Sequence, residues 1–176
     1  KVVKKNNMIV FSDEIYSRMI YDGQHASITQ VPGMKEHTVI LDGFSKTYAM
    51  TGWRLGYAAG PKKIIDAMTK IMLNTVSCTN TATQMAGIEA LTGPQDEVDK
   101  MVEKFKKRRD LIVDGLNKLP GFSCKKPKGA FYVFPNIKET GMKSKELMEY
   151  ILNVAGVACL PGTDFGSNGE GYLRFS

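Results

Sequence analysis

The sequence has no long apolar run and no recognisable targeting segment. No stretch of about eighteen uninterrupted apolar residues occurs among its 176 residues. The opening stretch KVVKKNNMIV carries lysines, but its apolar run is too short for a signal peptide. We therefore expect a cytoplasmic protein with no membrane-spanning segment, and the 43% hydrophobic content is sufficient for an ordinary core.

Cysteine and histidine are also too sparse to form a disulfide scaffold or a metal site. Cys78, Cys124 and Cys159 are odd in number, widely spaced and without a C-x-x-C pair, which argues against a disulfide scaffold or a zinc knuckle. They are predicted to be reduced, buried thiols. His25 and His37 have no cysteine or acid at metal-ligand spacing, so they are predicted to be exposed loop histidines and no metal site is expected.

The charge balance does not indicate a nucleic-acid partner. The chain has 24 basic and 18 acidic residues, a net charge of +6. Its densest basic stretch, EKFKKRRD, interleaves acids with the cations and is typical of a solvated helix face. Without an aromatic-rich basic stripe, nucleic-acid binding is not predicted.

The first part of the chain alternates short strands and amphipathic helices. Two continuous apolar runs end in polar residues, as expected for buried parallel strands with functional groups at their carboxyl ends: MIVFSDE and TVILDGFSK. A third strand, WRLGYAAGP, and two helices, KKIIDAMTKIML and TATQMAGIEAL, follow. The pattern predicts an α/β fold with a mostly parallel sheet.

A long helical stripe follows Gly93 and Pro94 and is predicted to join two domains. We place the boundary inside this helix near Arg108, giving domains 1–108 and 109–176. The second domain is expected to be α+β, with a helix SKELMEYILNV capped by Ser144 and strands GAFYVFPNI, GVACLPG and GYLRFS.

Reactive side chains follow the predicted strands. In open α/β sheets, ligands bind beyond the carboxyl ends of the strands, where Asp13 and Lys46 are expected to lie. A partly desolvated lysine beside a cation such as Arg54 is nucleophilic, and the planar fork of Arg54 suits a phosphate. Ser45 adds a hydroxyl donor, and Asp13 can keep a heteroaromatic nitrogen protonated. Together these groups match the requirements of a pyridoxal phosphate site.

Several longer segments resemble a known family. SDEIYSRMIYDG and SKTYAMTGWRLGY resemble the aspartate-binding and lysine-binding signatures of the class I and II aminotransferases, of pyridoxal phosphate fold type I. KPKGAFYVFPNI and GSNGEGYLRFS resemble the small-domain strand and the carboxylate-binding arginine segment of that family. The resemblance spans the whole chain and makes residues 1–108 part of the large cofactor-binding domain and 109–176 the small domain, incomplete at its end.

The resemblance implies a role for each matching residue. Lys46 would form a Schiff base with pyridoxal 5'-phosphate and later move the substrate's proton, while Ser45 and Arg54 would hold the phosphate. Asp13 would pair with the pyridine nitrogen and Tyr16 with the ring oxygen. Taken singly, Asp13 is equally compatible with a turn or capping acid, and the other side chains have ordinary structural interpretations; their joint occurrence in two long motifs favours the site.

On the substrate side, the resemblance assigns the α-carboxylate of the amino acid to Arg174. It implies transfer of an amino group from an L-amino acid to a 2-oxo acid, with 2-oxoglutarate as the expected acceptor and a homodimer as the working form. Two alternatives stay open: a fold type I lyase or synthase acting on amino acids, and a cofactor-sensing domain of a transcriptional regulator.

The family pattern also extends beyond this sequence. Family members are longer, and the phosphate-cradling glycine loop, the aromatic that stacks on the ring and the asparagine on the ring oxygen have no counterpart here. We therefore expect a fragment of an aminotransferase that is inactive alone and exposes apolar surface on its sheet.

Overall fold

The computed structural model describes residues 1–176, which form two compact units, Lys1–Lys100 and Met101–Ser176. The division falls inside one helix, Asp96–Leu116, the same helix that contains the boundary predicted near Arg108. The assignment of residues 1–108 and 109–176 to a large and a small domain stays a prediction.

The first unit contains a short opening helix, a small sheet and two longer helices. In chain order these are α1 (Val2–Lys5), β1 (Val10–Asp13), β2 (Thr38–Gly43), α2 (Phe44–Thr47), β3 (Gly56–Ala59), α3 (Lys62–Thr75) and α4 (Thr81–Thr92), followed by α5 (Asp96–Leu116), which continues into the second unit. Single 3-10 turns occupy Ile28–Gln30, Lys35–His37 and Thr51–Trp53.

The strand order places the carboxyl ends of two strands together. β1 pairs with β2 in parallel, with Asp13 opposite Leu41. β2 pairs with β3 in antiparallel fashion, with Gly43 opposite Gly56. The carboxyl ends of β1 and β2 and the amino end of β3 therefore lie at one edge of the sheet, which we call the carboxyl edge. The predicted α/β class is confirmed.

Helix α4 packs closely behind the carboxyl edge. A Cβ built on Gly87 would lie 2.5 Å from a methyl of Leu55 and 3.5 Å from the ring of Phe44. Only glycine therefore allows this approach without displacing Leu55. Phe44 is buried and begins α2, so α4 supports the turn that carries the reactive residues.

The second unit is built around the end of α5, helix α6 (Ser144–Ala155) and the antiparallel pair β4 (Leu160–Pro161) and β5 (Leu173–Arg174). Single 3-10 turns occupy Lys138–Thr140, Gly162–Phe165 and Ser167–Gly169. Its core has two buried clusters, both packed against Phe122 and Phe175: Val113, Leu116, Cys124 and Val133, and Ile137, Leu147 and Leu173.

The predicted strand GAFYVFPNI is not continuous. Its backbone makes only isolated bridges, from Val133 to Phe175 and from Asn136 to Tyr172 and Ser123. Ala130 has a left-handed backbone (φ 57°), and Pro135 has no N–H to donate. Ala130 lies before the paired residues, and Pro135 removes one donor from the pairing between Val133 and Asn136.

Ser144 does not cap α6 as predicted. It is the first helical residue, and its N–H and Oγ both donate to the carboxylate of Glu170, at 2.9 and 3.2 Å. These bonds and the one from the N–H of Gly171 at 2.9 Å hold the pKa of Glu170 below its ordinary value. The first turn of this helix is therefore capped by a residue distant in sequence, Glu170, together with Glu146, which accepts the N–H of Lys143 at 3.3 Å.

The cysteines are free, as predicted, but they are not uniformly buried. Cys78 is exposed, Cys159 is half-buried and Cys124 is buried. Burial raises the pKa of the Cys124 and Cys159 thiols. None of the helices has both the length and the apolar character that crossing a membrane requires.

Candidate active site

The turn that carries Ser45 and Lys46 follows β2 directly and is tied to the start of β3. Gly43 ends β2, and a Cβ there would lie 2.9 Å from the carbonyl oxygen of Leu55 and 3.0 Å from the Cα of Gly56. The N–H of Phe44 donates to that same carbonyl at 3.1 Å. The missing side chain of Gly43 and one backbone hydrogen bond therefore place the Lys46 turn beside Leu55, which follows Arg54.

Arg54 is held in a left-handed backbone conformation (φ 54°) at the end of a 3-10 turn. For a residue other than glycine this conformation costs about 1 kcal/mol, and such strain is concentrated at functional sites. Its Nη1 donates to the carbonyl of Thr51 at 2.8 Å, and no other hydrogen bond or ion pair involves the guanidinium. The remaining donors of this exposed arginine are available to an anion.

Asp13 and Tyr16 lie where β1 ends. Asp13 is exposed and accepts one hydrogen bond, from the N–H of Ile15 at 3.2 Å, through Oδ1. Tyr16 is half-buried in the following turn. Its carbonyl oxygen accepts a hydrogen bond from the N–H of Met19 at 2.9 Å. One carboxylate oxygen of Asp13 is therefore open to a ligand at the carboxyl edge.

A buried carboxylate fixes the backbone next to Asp13. Glu14 is only 9% exposed, and its N–H donates to the carbonyl of Leu41 at 2.8 Å, which extends the β1–β2 pairing. Its carboxylate accepts hydrogen bonds from Ser27 at 2.6 Å, Ser12 at 3.0 Å and the ring of His25 at 2.7 Å. The chain beyond Asp13 is thereby anchored to three side chains.

This network sets the charge state of Glu14. Burial acts to raise the pKa of Glu14, but the hydrogen bonds from Ser27, His25 and Ser12 together outweigh it and leave the pKa lowered. His25 is an exposed loop residue, as predicted, but its ring also contacts the buried carboxylate of Glu14. Nothing in the sequence pattern connects these two residues, which lie eleven positions apart.

Asp42 joins the three segments that meet at the carboxyl edge. It accepts hydrogen bonds from the N–H of Gly43 at 2.7 Å, the hydroxyl of Tyr57 at 3.2 Å and the hydroxyl of Ser17 at 3.4 Å. Burial and the negative charge of Asp42 raise the pKa of Tyr57. Asp42 was not predicted as a functional residue, although it directly follows the apolar residues of β2.

Arg174 lies in the second unit, on β5, and two aromatic rings contact its guanidinium. Its guanidinium carbon is 4.6 Å from the centre of the Tyr132 ring and 4.1 Å from that of Phe165. No carboxylate or other acceptor binds this guanidinium. Its N–H donors can therefore take up a carboxylate ligand.

The first unit thus gathers the predicted cofactor residues at one edge of a sheet. Asp13 ends β1, while Ser45, Lys46 and Arg54 flank the β2–β3 contact. The Ser45 hydroxyl makes no hydrogen bond within the chain, and most of the Arg54 donors are also free. Free donors for an anion, an open carboxylate for a protonated nitrogen and a lysine amine together fit pyridoxal phosphate.

Comparison with known proteins agrees with this chemistry. The family model for aminotransferase class I and II matches residues 1–176. The aspartate aminotransferase of Pyrococcus abyssi is 46% identical over 175 residues, which cover 98% of this chain and 45% of that protein. The aromatic-amino-acid aminotransferase 2 of Thermococcus litoralis is 41% identical with the same coverage.

A solved structure extends the comparison to the fold. The aromatic aminotransferase from Pyrococcus horikoshii matches with a TM-score of 0.95 and 44% identity, over 99% of this chain and 48% of that one. The chain spans about 45% of the length of the curated relatives that it matches. On its sequence and its fold, this chain belongs to the class I and II aminotransferases.

Proposed function

We propose that the whole protein to which this chain belongs transfers an amino group from an L-amino acid to a 2-oxo acid, with pyridoxal phosphate bound through Lys46. The observation that carries the proposal is the assembly of Asp13, Lys46 and Arg54 at the carboxyl edge. The named relatives are aminotransferases, which favours transamination over a lyase, a synthase or a regulatory domain.

The residues of the first unit would hold the cofactor by complementary charge. Arg54 and Ser45 donate hydrogen bonds to the phosphate, and Asp13 keeps the pyridine nitrogen protonated. Tyr16 donates its hydroxyl hydrogen to the ring oxygen. When bound, pyridoxal phosphate supplies an electron-withdrawing ring that stabilises negative charge at the substrate α-carbon.

Two further residues would act on the substrate. Arg174 binds the α-carboxylate through two parallel N–H donors and so orients the α-carbon. The amine of Lys46, once free, takes the proton from that carbon and returns it to an acceptor atom. Positioning by one arginine and proton transfer by one lysine are thus separate tasks.

The acceptor and the assembly state are part of the same proposal. We expect 2-oxoglutarate as amino acceptor and a homodimer as the active form. Relatives named for aspartate and for aromatic amino acids are consistent with an acidic or an aromatic donor.

The test follows the amino nitrogen itself. The whole protein is incubated with pyridoxal phosphate, 2-oxoglutarate and a panel of amino acids labelled with 15N, and glutamate is analysed by mass spectrometry. Transfer of label into glutamate, with formation of the matching 2-oxo acid in equal amount, is expected for at least one donor. A lyase would consume the donor without labelling glutamate, and a regulatory domain would consume nothing; either result would refute the proposal.

A further inference from the structure

Two aromatic rings, those of Tyr132 and Phe165, lie against the Arg174 guanidinium. The distances to the ring centres are 4.6 Å for Tyr132 and 4.1 Å for Phe165, within the range of cation–π contacts. All N–H donors of a guanidinium lie in its plane. A group that accepts hydrogen bonds from Arg174 therefore approaches the edge of the guanidinium.

Each ring comes from a segment that is hydrogen-bonded close to Arg174. Tyr132 precedes Val133, whose N–H and carbonyl exchange hydrogen bonds with Phe175 at 3.0 and 3.1 Å. Phe165 closes the 3-10 turn that starts at Gly162, whose N–H donates to the carbonyl of Tyr172 at 2.8 Å. These backbone hydrogen bonds therefore fix the positions of the segments that carry Tyr132 and Phe165 relative to β5.

The ring of Phe165 is also supported from its side. It meets Phe134 edge to face at 6.0 Å, and Phe134 stacks on Tyr172 at 5.2 Å with the ring planes 7° apart. Phe165 is nevertheless 48% exposed. Replacing Phe165 by an aliphatic residue therefore removes the aromatic ring without creating a cavity in the buried core.

We propose that Tyr132 and Phe165 are positioning residues, which hold the guanidinium plane of Arg174 so that its edge meets the α-carboxylate of the substrate. This inference rests on the proposed role of Arg174 in carboxylate binding. The rings restrict the Arg174 side chain to fewer orientations. Less conformational entropy is therefore lost when the guanidinium forms two parallel hydrogen bonds with a carboxylate. Their loss should weaken carboxylate binding while cofactor binding stays unchanged.

The test uses the whole protein with pyridoxal phosphate and one unreactive probe, butyrate. Butyrate carries a carboxylate but no amine, and its inhibition constant reports on Arg174. Phe165→Leu and Tyr132→Leu should each raise that constant about fivefold to tenfold, while Tyr132→Phe, which keeps the ring, should leave it within about twofold. The dissociation constant of pyridoxal phosphate, measured by fluorescence quenching, should not change in any of them.

A double-mutant cycle separates positioning from general damage. In an Arg174→Lys background there is no planar cation to hold, so Phe165→Leu should have little further effect on the inhibition constant. Phe105→Leu, which removes a ring of the same unit that contacts Phe131 but not Arg174, serves as the control and should behave like the unaltered protein.

The outcomes distinguish the two proposals. If Arg174→Lys weakens butyrate but Phe165→Leu and Tyr132→Leu do not, the positioning role is wrong and the carboxylate role stands. If Arg174→Lys leaves butyrate binding unchanged, the carboxylate role itself fails. Additive effects of Phe165→Leu and Arg174→Lys would also overturn the positioning role, because the ring would then act independently of Arg174.

Discussion

At the scale of single residues, Lys46 carries the most specific expectation. Lys46→Ala in the whole protein should abolish the covalent lysine–cofactor linkage and lower turnover by about 10³-fold, since no other amine is predicted at the carboxyl edge to take the proton. Borohydride reduction followed by peptide mass spectrometry measures the linkage. Lys62→Ala removes an exposed lysine that pairs with Asp66 and is the matched control. A cofactor still linked covalently in the Lys46 variant would contradict the assignment.

Glu14 is expected to make the free energy of unfolding depend on pH. Its folded pKa lies below the ordinary value of 4.5, so its contribution is complete above about pH 4.5 and is lost as the pH falls through the folded pKa. Glu14→Gln should lower the free energy of unfolding by about 1–3 kcal/mol at pH 7. The difference in unfolding free energy between Glu14→Gln and the unaltered protein should shrink as the pH falls below about 4.5, because the unfolded state then takes up a proton more readily than the folded one.

Urea unfolding of the whole protein at pH 7, 5 and 4 measures this gap. His25 is the facing group that can carry a positive charge, while Ser12 and Ser27 are neutral donors. Ser12→Ala, which removes one neutral bond, should keep most of the pH dependence. A gap for Glu14→Gln that is equal at pH 7 and pH 4 would show that the charge of Glu14 contributes nothing.

At the scale of elements, the start of α6 depends on Glu170. Glu170→Ala leaves the N–H of Ser144 without its acceptor at the first turn of the helix. Amide hydrogen exchange in the first turn of α6 should become about fivefold faster, with the rest of the helix less affected. Glu149→Ala removes an exposed carboxylate further along the same helix and is the control. Unchanged exchange in the Glu170 variant would show that the cap is dispensable.

Elements defined by local periodicity were predicted well, and those defined by distant partners were not. Helix α3 spans Lys62–Thr75 and α5 spans Asp96–Leu116, close to the segments that the apolar spacing indicated. The segment GAFYVFPNI has the composition of a strand, but its pairing depends on Ser123 and on residues 171–175. Composition does not report such pairing, and Pro135 interrupts it.

The candidate site also has residues that could be predicted from the sequence and contacts that could not. Asp13 and Lys46 could be located from sequence because each comes shortly after an apolar run that forms a strand, and the parallel pairing brings those strand ends to one edge. The bonds from Ser27 and His25 to Glu14 join residues more than ten positions apart with no shared motif. The rings on Arg174 come from two separate segments, so only the folded chain shows them.

At the scale of the whole molecule, the first unit exposes a large amount of apolar surface. Side chains that are more than half exposed include Phe11, Ile71, Met85, Ile88 and Leu91. A solvent-exposed apolar area of this kind favours association. The 176-residue chain alone should therefore self-associate, bind an apolar dye and transaminate more slowly than the whole protein by orders of magnitude.

Light scattering, dye fluorescence and turnover, measured for the chain and for the whole protein at equal concentration, test this expectation. The chain covers about 45% of the length of its relatives, so the whole protein has the residues to cover these side chains and should bind much less dye. A monodisperse monomer of 176 residues with the turnover of the whole protein would contradict the expectation.

The division between the two units falls inside α5 and not in a loop. Proteases bind their substrates as extended chain, so cleavage at Lys100 requires several turns of a hydrogen-bonded helix to open first. Trypsin should therefore release the two units slowly, despite the many lysines and arginines of α5. For anyone who wishes to express the units separately, a cut at this point would leave each piece with a helix end that its sequence is not designed to cap.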